Sequence, residues 1–435
     1  MSKIKILFAI GRLTVGGGEK LLVYQLKYLD REKFEPYLLT LFPEKEESFA
    51  EFLRSGLPLE SRSLSAWWKQ LNFHGLFDVS SWFALYSFLK KEKFDVVVTS
   101  LFSANLFVRL VLLFSGRSKV LLSYEHNIYR DKHGWQIWLD WFLAHFTDKI
   151  IVDAESVKKF TSQQESIPAD KFLVMHIPPL ANDVKVGTPA GVPTLDSDVK
   201  TGSPAGDPVL NADVKVRPLG GGRTLNGLRG ELGIGLGDKV ILTVSRLVEE
   251  KGHVYLIRAA KEVLEKFPQA KFLIVGWGPL KEKLENEING VKFGTPDGVK
   301  FGTPAGVPNL NVVNSVEKII LAGQRDIAEV LPFADIYVEP ALSVDIGIAS
   351  MEAMAQGLPI ISTNVGEMPV FVKDSENGFL VPPADSGALA EKILTLLQND
   401  ELRKKMGEKS KERVKDFTIE KYMQRFENLI LSLLK

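Results

Sequence analysis

Two doubly wound α/β domains, one after the other, are the fold that the sequence predicts. Three observations support this prediction: short apolar runs alternate with amphipathic stretches over residues 1–180, the alternation returns over residues 226–435, and a tract rich in Pro and Gly separates the two regions. Alternating strands and helices are typical of a parallel sheet with helices on both faces. A chain of 435 residues is long enough for two or three such domains.

The first region contains six candidate strands, each a short run rich in Val, Ile, Leu and Phe. They are Lys5–Ile10, Glu35–Leu41, Phe94–Ser100, Val120–Glu125, Lys149–Val152 and Leu173–Ile177. Apolar residues at helical spacing predict helices between them, at Glu19–Leu29, Gly75–Lys91, Ala104–Phe114 and Trp135–Phe146. We assign residues 1–180 to an N-terminal domain.

The second region follows the same pattern. Its candidate strands are Val240–Ser245, Phe272–Gly276, Ile319–Ala322, Ile336–Glu339 and Ile360–Ser362. The last forty or so residues are charged and Leu-rich, which predicts helices. We assign residues 226–415 to a C-terminal domain and residues 416–435 to a terminal helix, for which a return to the N-terminal domain is an option.

Two tracts rich in Pro and Gly interrupt this pattern, and both contain the sequence GTPAGVP. The first tract holds three variants of one phrase at a fifteen-residue period, beginning at Asp183, Asp198 and Asp213. Pro and Gly at this density prevent helices and interrupt sheet ladders, and the units hold too few large apolar residues for a core. We predict insertions exposed as loops at residues 183–225, between the domains, and at residues 290–311. A repeated binding module is the alternative.

Composition excludes several classes of function. Lys and Arg together number 54, as do Asp and Glu, so no excess of positive charge indicates a nucleic-acid partner. The absence of cysteine excludes disulfides, thiol nucleophiles and thiolate metal sites. The N-terminal apolar run enters a Gly-rich turn and is too short for a signal peptide, so we expect a strand there. Arg109 and Asp140 interrupt the two longest apolar runs, and we therefore expect no membrane span and a cytoplasmic protein.

A glycine-rich turn follows the first predicted strand and precedes a helix. It contains Gly16, Gly17 and Gly18. Glycines at this place let backbone N–H groups approach a phosphate at the helix N-terminus, where the helix dipole favours an anion. A purely steric role in a strand-to-helix turn explains the three glycines equally well.

Two cations, Arg246 and Lys251, lie in one loop after the first strand of the second region. A loop at the carboxyl end of a parallel strand suits a diphosphate, to which Arg offers a fork of donors and Lys a point charge. In the alternative interpretation the two cations are solvated and pair with Glu249 and Glu250, and spacing alone slightly favours this alternative.

Two more strand-to-helix junctions in the second region carry candidate site residues. One holds Gly276 and Gly278 in the sequence VGWGPL, and the other leads into a helix that starts near Gly347 and carries Glu352. Glu352 lies among Met and Ala residues, where burial of a carboxylate without a partner is costly. Its partner is either a structural group or the hydroxyl of a ligand.

The order of these segments resembles the family 4 retaining glycosyltransferases, the glycosyl transferases group 1. The resemblance is nearly continuous over residues 226–400, through Arg246 and Lys251 and the sequences VGWGPL, AGQRDIAEVLPFADIYVEP, MEAMAQGLPIISTNVGEMP and NGFLVPPAD. It is looser over residues 1–180, through KIKILFAIGRLTVGGGEK, SLFSANLFVRL and LLSYEHN, and it leaves out the repeats. It implies the GT-B fold, in which two Rossmann-like domains face each other across a cleft.

The resemblance also implies roles for the candidate residues. In that family the C-terminal domain holds a nucleoside diphosphate sugar, so Arg246 and Lys251 would bind the diphosphate and Glu352 would accept hydrogen bonds from the ribose. The turn Gly16–Gly18 would face the phosphates from the other domain, and His126 in SYEHN would lie against the donor sugar. The glycines at 276 and 347 complete the predicted donor site. No cofactor, metal or protein nucleophile is implied, and the N-terminal domain would take the acceptor.

One departure from the family pattern affects the predicted site. The first of two family glutamates, which contacts the donor sugar, is replaced by Val344, and Asp345 follows it. A change of one residue in the path of the loop would bring Asp345 near the place of the missing glutamate. We predict a working enzyme with altered sugar preference and Asp345 in a catalytic role; an inactive homologue is the alternative.

Aromatic residues recur at helical spacing in the fourth predicted helix. These are Trp135, Trp138, Trp141 and Phe142, and a second aromatic group is the pair Trp67 and Trp68. A spacing of three is typical of a buried helix face, so we expect both groups in the core. Contact with a membrane or with a lipid-linked acceptor is the alternative.

We predict a retaining glycosyltransferase that moves a sugar from a nucleoside diphosphate sugar to a glycan or glycolipid acceptor in cell-surface polysaccharide biosynthesis. Peripheral contact with the inner face of a membrane is an open option. Two alternatives stay open: an isomerase of the same fold, such as a nucleotide-sugar 2-epimerase, and a catalytically degenerate homologue that binds nucleotide sugars. The sequence leaves the sugar, the nucleotide and the acceptor undetermined.

Overall fold

The computed structural model describes residues 3–13, 17–43, 67–75, 77–116, 118–126, 132–179, 225–290, 318–343 and 347–435. Most of both predicted insertions, together with Gly16, Val344 and Asp345, lies outside these described residues. Leu225 begins a helix and Gly290 ends another, so the helices reach the edges of the two insertions.

The first sheet has seven parallel strands in the order β3-β2-β1-β4-β5-β6-β7. The strands are β1 (Ile4–Ile10), β2 (Phe34–Thr40), β3 (Trp68–Gln70), β4 (Val96–Ser100), β5 (Val120–Glu125), β6 (Lys149–Val152) and β7 (Phe172–Val174). The central strands β4 and β5 are buried at every residue. Such burial on both faces is what a parallel sheet covered by helices requires, and it explains the nearly continuous apolar runs of the sequence.

Within the described residues, five helices lie between these strands. They are α1 (Gly17–Tyr28), α2 (Val79–Glu92), α3 (Leu101–Ser115), α4 (Gly134–Ala144) and α5 (Glu155–Glu165). Side chains of α2, α3 and α4 share one apolar core with one face of the sheet, to which they contribute for example Leu85, Val108 and Leu143. Helix α1 packs on the opposite face, in a separate core.

The second sheet has six parallel strands in the order β10-β9-β8-β11-β12-β13. The strands are β8 (Lys239–Val244), β9 (Ala270–Val275), β10 (Ile319–Leu321), β11 (Ile336–Glu339), β12 (Ile360–Thr363) and β13 (Gly378–Val381). The helices of this part are α6 (Leu225–Glu231), α7 (His253–Lys266), α8 (Lys281–Gly290), α9 (Ile327–Val330), α10 (Ile348–Gln356), α11 (Met368–Phe371), α12 (Ser386–Leu397) and α13 (Asp400–Val414). Two apolar cores, one on each face, enclose the sheet.

The last helix, α14 (Ile419–Leu433), packs on the first sheet although it follows the second sheet in the chain. Tyr422 and Phe426 are buried there beside α1. The hydroxyl of Tyr422 lies 2.7 Å from that of Tyr124 in β5, and Gln25 of α1 donates to Tyr124 at 2.8 Å. The C-terminus of the chain is thereby part of the N-terminal core.

Each sheet reverses its strand order once, and the position of this reversal indicates where each domain is expected to bind a ligand. The reversals lie between β1 and β4 and between β8 and β11. In doubly wound sheets, ligands bind outside the carboxyl ends of the strands at such a reversal. The start of α1 and the loop after β8, which carries Arg246 and Lys251, both lie there.

The predicted fold class is confirmed, with two doubly wound parallel sheets in tandem. Two strands were absent from the sequence-based prediction, β3 and β13. Both are edge strands, and the sequence of β3, Trp-Lys-Gln, contains a single apolar residue, so no apolar run indicates it.

The prediction that the aromatic helix is buried was wrong. Trp135, Trp138 and Trp141 of α4 expose 52%, 59% and 39% of their surface. The buried residues of α4 are Asp140, Leu143 and Ala144, which lie on another face of the helix. A spacing of three residues identifies one face of a helix but does not say whether this face meets the core. Trp67 and Trp68, in contrast, are buried as predicted, at 2% and 8% exposure.

Candidate active site

His126 lies at the carboxyl edge of the first sheet, directly after β5. It is only 6% exposed, and its Nδ1 lies 2.7 Å from Oδ2 of Asp153, which follows the neighbouring strand β6. Burial alone lowers the pKa of His126, but the charge and the hydrogen bond of Asp153, together with the charges of Glu125 and Glu19, outweigh burial and leave this pKa above its usual value. The imidazole is therefore fixed in orientation and holds a proton readily.

The start of α1 lies against His126, and the glycine at position 18 permits this approach. A Cβ atom at Gly18 would lie 2.9 Å from Cδ2 of His126, closer than real Cβ contacts. Gly17 is the first residue of α1, while Gly16 lies outside the described residues. The positive end of the α1 dipole and the His126 ring therefore adjoin each other.

Glu352 connects the second domain to α1. It lies on α10, is 9% exposed, and its Oε1 is 3.8 Å from Nζ of Lys20, one turn into α1. Burial raises the pKa of Glu352 to about 7, and the nearby Lys20 opposes this shift. The described partner of Glu352 thus comes from the opposite domain, so α1 and α10 face each other across the cleft.

Arg246 and Lys251 occupy the loop after β8. Arg246 is exposed, and its guanidinium has no hydrogen-bond or ion-pair partner among the described residues. Nζ of Lys251 lies 3.9 Å from Oε1 of Glu339, which is 2% exposed at the end of β11. Glu249 contacts Lys283 at 3.3 Å. The geometry gives no support to pairing of Arg246 with the two glutamates of its own loop.

Neighbouring loops pack tightly against this cationic loop. A Cβ atom at Gly276 would lie 1.8 Å from the carbonyl oxygen of Ser245, and the φ angle of Gly276 is 153°, so glycine is required there. On the other side, the N–H of Leu342 donates to the carbonyl of Glu250 at 2.7 Å. The loops after β8, β9 and β11 therefore form one connected rim.

His253 begins α7 directly after the cationic loop and stays neutral. Its Nε2 lies 2.9 Å from Oγ of Ser245. Burial, with a further contribution from the charge of Lys251, lowers the pKa of His253 to about 4. The positive charge of this rim at neutral pH therefore comes from Arg246 and Lys251 and not from the histidine.

The structure thus brings several predicted residues to facing edges of the two sheets. Gly17, Gly18 and His126 lie at the carboxyl edge of the first sheet, while Arg246, Lys251, Gly276 and Glu352 lie at the corresponding edge of the second. Gly347 directly precedes α10. Gly16 and Asp345 lie outside the described residues, so their predicted roles stay predictions.

Sequence reasoning missed four charged residues of this region: Lys20, Asp153, Glu339 and Glu367. Glu367 is 2% exposed and accepts a hydrogen bond from the N–H of Glu155 in the opposite domain at 2.9 Å, and burial raises its pKa. Asp153 and Glu339 do have a signal in the sequence, because each is an acid at the carboxyl end of an apolar strand. Lys20 has none, since only the tertiary fold places it beside Glu352.

The described ranges contain neither a metal-binding cluster nor a membrane-spanning helix. No group of three or more His, Asp or Glu side chains is arranged there to hold a metal ion. None of the helices in this part of the chain is both long and apolar enough to cross a membrane.

Two family models match the chain. Residues 15–177 match the model described as Glycosyltransferase Family 4, and residues 238–399 match the model described as Glycosyl transferases group 1. D-inositol 3-phosphate glycosyltransferase of Corynebacterium efficiens is 32% identical over 201 residues, which are 46% of this chain and 44% of the relative. N-acetyl-alpha-D-glucosaminyl L-malate synthase of Bacillus anthracis is 27% identical over 214 residues, 49% of this chain and 50% of the relative. The matched region thus spans about half the length of these relatives.

Solved structures share the whole fold. HepE of Anabaena, determined in complex with UDP, superimposes with a TM-score of 0.70 at 16% identity and covers 99% of this chain and 100% of its own. A glycosyltransferase of Rickettsia africae gives a TM-score of 0.70 at 17% identity and covers 100% of both chains. At these identities the likeness concerns the fold, which is the GT-B arrangement of two Rossmann-like domains. With the two family models on its two domains, the chain belongs to the glycosyl transferases group 1, the family 4 glycosyltransferases.

Proposed function

We propose that this chain is a retaining glycosyltransferase that moves a sugar from a nucleoside diphosphate sugar to a glycan or glycolipid acceptor. One observation carries the proposal: Arg246 and Lys251 lie in one loop at the strand-order reversal of the second sheet, and the guanidinium of Arg246 has no partner among the described residues. An exposed guanidinium and an ammonium in one loop match the charge and size of a diphosphate.

The roles of the two cations follow from the leaving group. Cleavage of the anomeric C–O bond develops negative charge on the departing diphosphate and positive charge on the sugar. Cations fixed beside the diphosphate stabilise the transition state more than the ground state, and this difference is the source of the rate. The tightly packed rim, with Gly276 against Ser245, holds the loop of Arg246 and Lys251 in place.

Glu352 is suited to bind the ribose of the donor. A buried carboxylate on α10 offers acceptor oxygens for two hydroxyl groups, and the present contact with Lys20 at 3.8 Å is long enough to be shared with a ligand. Lys20 reaches the same place from α1, so a bound nucleotide would be enclosed by both domains.

His126 is suited to position the donor sugar. Because Asp153 engages Nδ1, Nε2 is the ring nitrogen that can meet a sugar hydroxyl. The acceptor hydroxyl would then attack from the face that the diphosphate leaves, so that the configuration of the anomeric carbon is retained. We expect turnover to persist in a chelator such as EDTA, since Arg246 and Lys251 supply the charge that a metal would otherwise provide.

The solved complexes of HepE support a nucleotide-sugar donor for this chain. That protein was determined with UDP, with UDP and glucose, and with UDP-glucose. The names of the two relatives contain different small molecules, inositol 3-phosphate in one and L-malate in the other. We therefore leave the acceptor open between glycans and glycolipids, and we place its use in surface polysaccharide synthesis.

A panel of nucleotide sugars tests the proposal. The full chain is incubated with UDP-, GDP- and ADP-linked sugars, and the released nucleoside diphosphate is measured with and without glycan acceptors. We expect release from at least one donor, faster when an acceptor is present. Conversion of a donor to its epimer without release would identify an isomerase. Tight binding without any release would identify a degenerate homologue.

A further inference from the structure

The exposed large hydrophobic residues of this protein are concentrated in one stretch of the chain. Ten such side chains are exposed among the described residues, and eight of them lie between residues 77 and 146. They include Phe77, Phe83, Phe114, Trp135, Trp138, Trp141 and Phe146, which we call the aromatic face. Scattered single apolar residues are normal on a protein surface, whereas a concentration of this kind marks an interaction site.

Helix α4 is the centre of the aromatic face. Trp138 stacks on Phe142 with ring centroids 5.6 Å apart, and Trp141 meets the edge of His145 at 4.8 Å. The single charged residue of α4 is Asp140, which is buried. The outward side of this helix therefore presents tryptophan and phenylalanine rings without a formal charge at neutral pH.

The inward side of α4 is held so firmly that the tryptophans stay outside. Asp140 contacts Arg109 at 2.9 Å and Lys132 at 2.8 Å, and Lys132 also contacts Glu165 of α5 at 2.5 Å. These charged groups are almost completely buried. Rotation of α4 to bury its tryptophans would separate buried ion pairs, which costs several kcal/mol. The exposure of the tryptophans is thus fixed by the fold.

The aromatic face extends over neighbouring helices on the same side of the sheet. Helices α2, α3 and α4 share one core, as described above. Phe77 precedes α2 and is 95% exposed, Phe83 lies on α2, and Phe114 lies near the end of α3. The apolar side chains therefore belong to one layer of three helices rather than to a single loop.

Positive charge exceeds negative charge at the end of α2. Lys90 and Lys91 lie in its last turn and Lys93 follows it, all three exposed, while Glu92 between them lies 3.7 Å from Lys5. The other carboxylates of this layer are the buried Asp140 and Asp78, which caps α2 and accepts hydrogen bonds from the hydroxyls of Ser80 and Ser81. The chain as a whole has no net charge, so this excess of lysine is local.

We propose that the layer of α2, α3 and α4 docks on the surface of a lipid bilayer that contains anionic lipids. Tryptophan side chains prefer the boundary between lipid and water, because the ring is apolar and its N–H is polar. Lysines in the same layer, at the end of α2, are attracted by anionic headgroups. Since no described helix can cross a membrane, the contact is peripheral.

The charge pattern favours a bilayer over a second copy of the chain. In a symmetric dimer the same patch would face itself. The lysines of α2 would then meet a surface on which Asp140 is buried, Glu92 is paired with Lys5, and Asp78 accepts hydrogen bonds from Ser80 and Ser81. A bilayer with anionic lipids supplies the missing negative charge. Binding to a bilayer through this layer does not depend on which reaction the protein catalyses.

Binding to vesicles tests the proposal. The full chain is sedimented with vesicles of phosphatidylcholine and with vesicles that also contain phosphatidylglycerol, at low and at high salt. We expect binding to the mixed vesicles that weakens as salt is added. The variant Trp135→Ser/Trp138→Ser should bind at least tenfold more weakly, from the apolar area removed. The variant Lys90→Glu/Lys91→Glu should lose about fivefold for each lysine on mixed vesicles only.

A tryptophan variant on the other domain serves as the control, and fluorescence quenching serves as a second measurement of membrane contact. Trp277 is 72% exposed on the second domain, outside the aromatic face, so Trp277→Ser should bind vesicles like the original chain. Quenching of tryptophan fluorescence by brominated lipids, measured on the unaltered chain, tests contact without any substitution. Absence of sedimentation and quenching would overturn the proposal. The proposal would also be overturned if Trp135→Ser/Trp138→Ser bound vesicles as strongly as the original chain. A third contradicting result is an original chain that is dimeric and does not bind vesicles, with a dimer that dissociates in this variant.

Discussion

Replacement of Glu352 by Gln probes the ribose-binding role through its pH dependence. Burial raises the pKa of Glu352 to about 7, so its ionised fraction changes greatly between pH 6 and pH 8. The ionised form accepts hydrogen bonds through both oxygens, whereas the protonated form loses part of this capacity. Donor affinity should therefore rise with pH.

The magnitude follows from the pKa. With a pKa of about 7, roughly one Glu352 in ten is ionised at pH 6 and roughly nine in ten at pH 8. If the ionised form alone binds ribose tightly, affinity rises about tenfold across this range. In Glu352→Gln the side chain no longer titrates, so this rise should vanish.

Titration calorimetry with a nucleoside diphosphate at pH 6, 7 and 8 measures the effect. The terminal phosphate of the ligand also loses a proton near pH 6, and Glu352→Gln provides the reference that removes this contribution. In Lys20→Met the rise should move to higher pH, because Lys20 lowers the pKa of Glu352. An identical pH dependence in the original chain and in Glu352→Gln would refute the reasoning.

Three further predictions follow from the same account. Asp153→Asn should lower the pKa of His126, because the carboxylate that opposes burial most strongly is removed while Glu125 and Glu19 stay; NMR titration of the imidazole measures it, and an unchanged pKa would contradict the pairing. Asp345→Ala should remove turnover and leave nucleoside-diphosphate affinity nearly unchanged if Asp345 positions the sugar, and full turnover in this variant would refute that role. Deletion of residues 183–222 or 291–309, closed by a short linker, should change the free energy of unfolding by less than about 1 kcal/mol, and loss of cooperative unfolding in both deletions would show that the repeats belong to a core.

The fold was predictable because parallel sheets leave a strong signal in the sequence. Strands such as Val96–Ser100 are buried on both faces and therefore read as continuous apolar runs. The position of Arg246 and Lys251 at the edge of the sheet was predictable for a related reason, since the loop that follows a buried parallel strand opens at that edge, while their role toward a diphosphate stays a prediction. The edge strand Trp68–Gln70 was missed because it contains one apolar residue and two exposed polar ones.

The rest of the site depends on contacts between distant parts of the chain. Lys20 and Glu352 are far apart in sequence, and their approach at 3.8 Å results from the packing of one domain against the other. The error on α4 has a similar origin, because its buried side was decided by Asp140 and its partners Arg109 and Lys132. A buried ion pair of this kind reverses the orientation that apolar spacing predicts.

The central claim is that Arg246 and Lys251 hold the diphosphate of a nucleotide sugar, and the affinity for a nucleoside diphosphate tests it most directly. Calorimetry compares the original chain with Arg246→Ala, with Lys251→Ala and with Lys266→Ala, a control at the far end of α7 whose ammonium contacts Glu262 at 2.7 Å. The account predicts that either site variant weakens binding by about 1–3 kcal/mol, the range for hydrogen bonds to charged groups, while the control binds normally. Unchanged affinity in both site variants would contradict it and place the donor elsewhere.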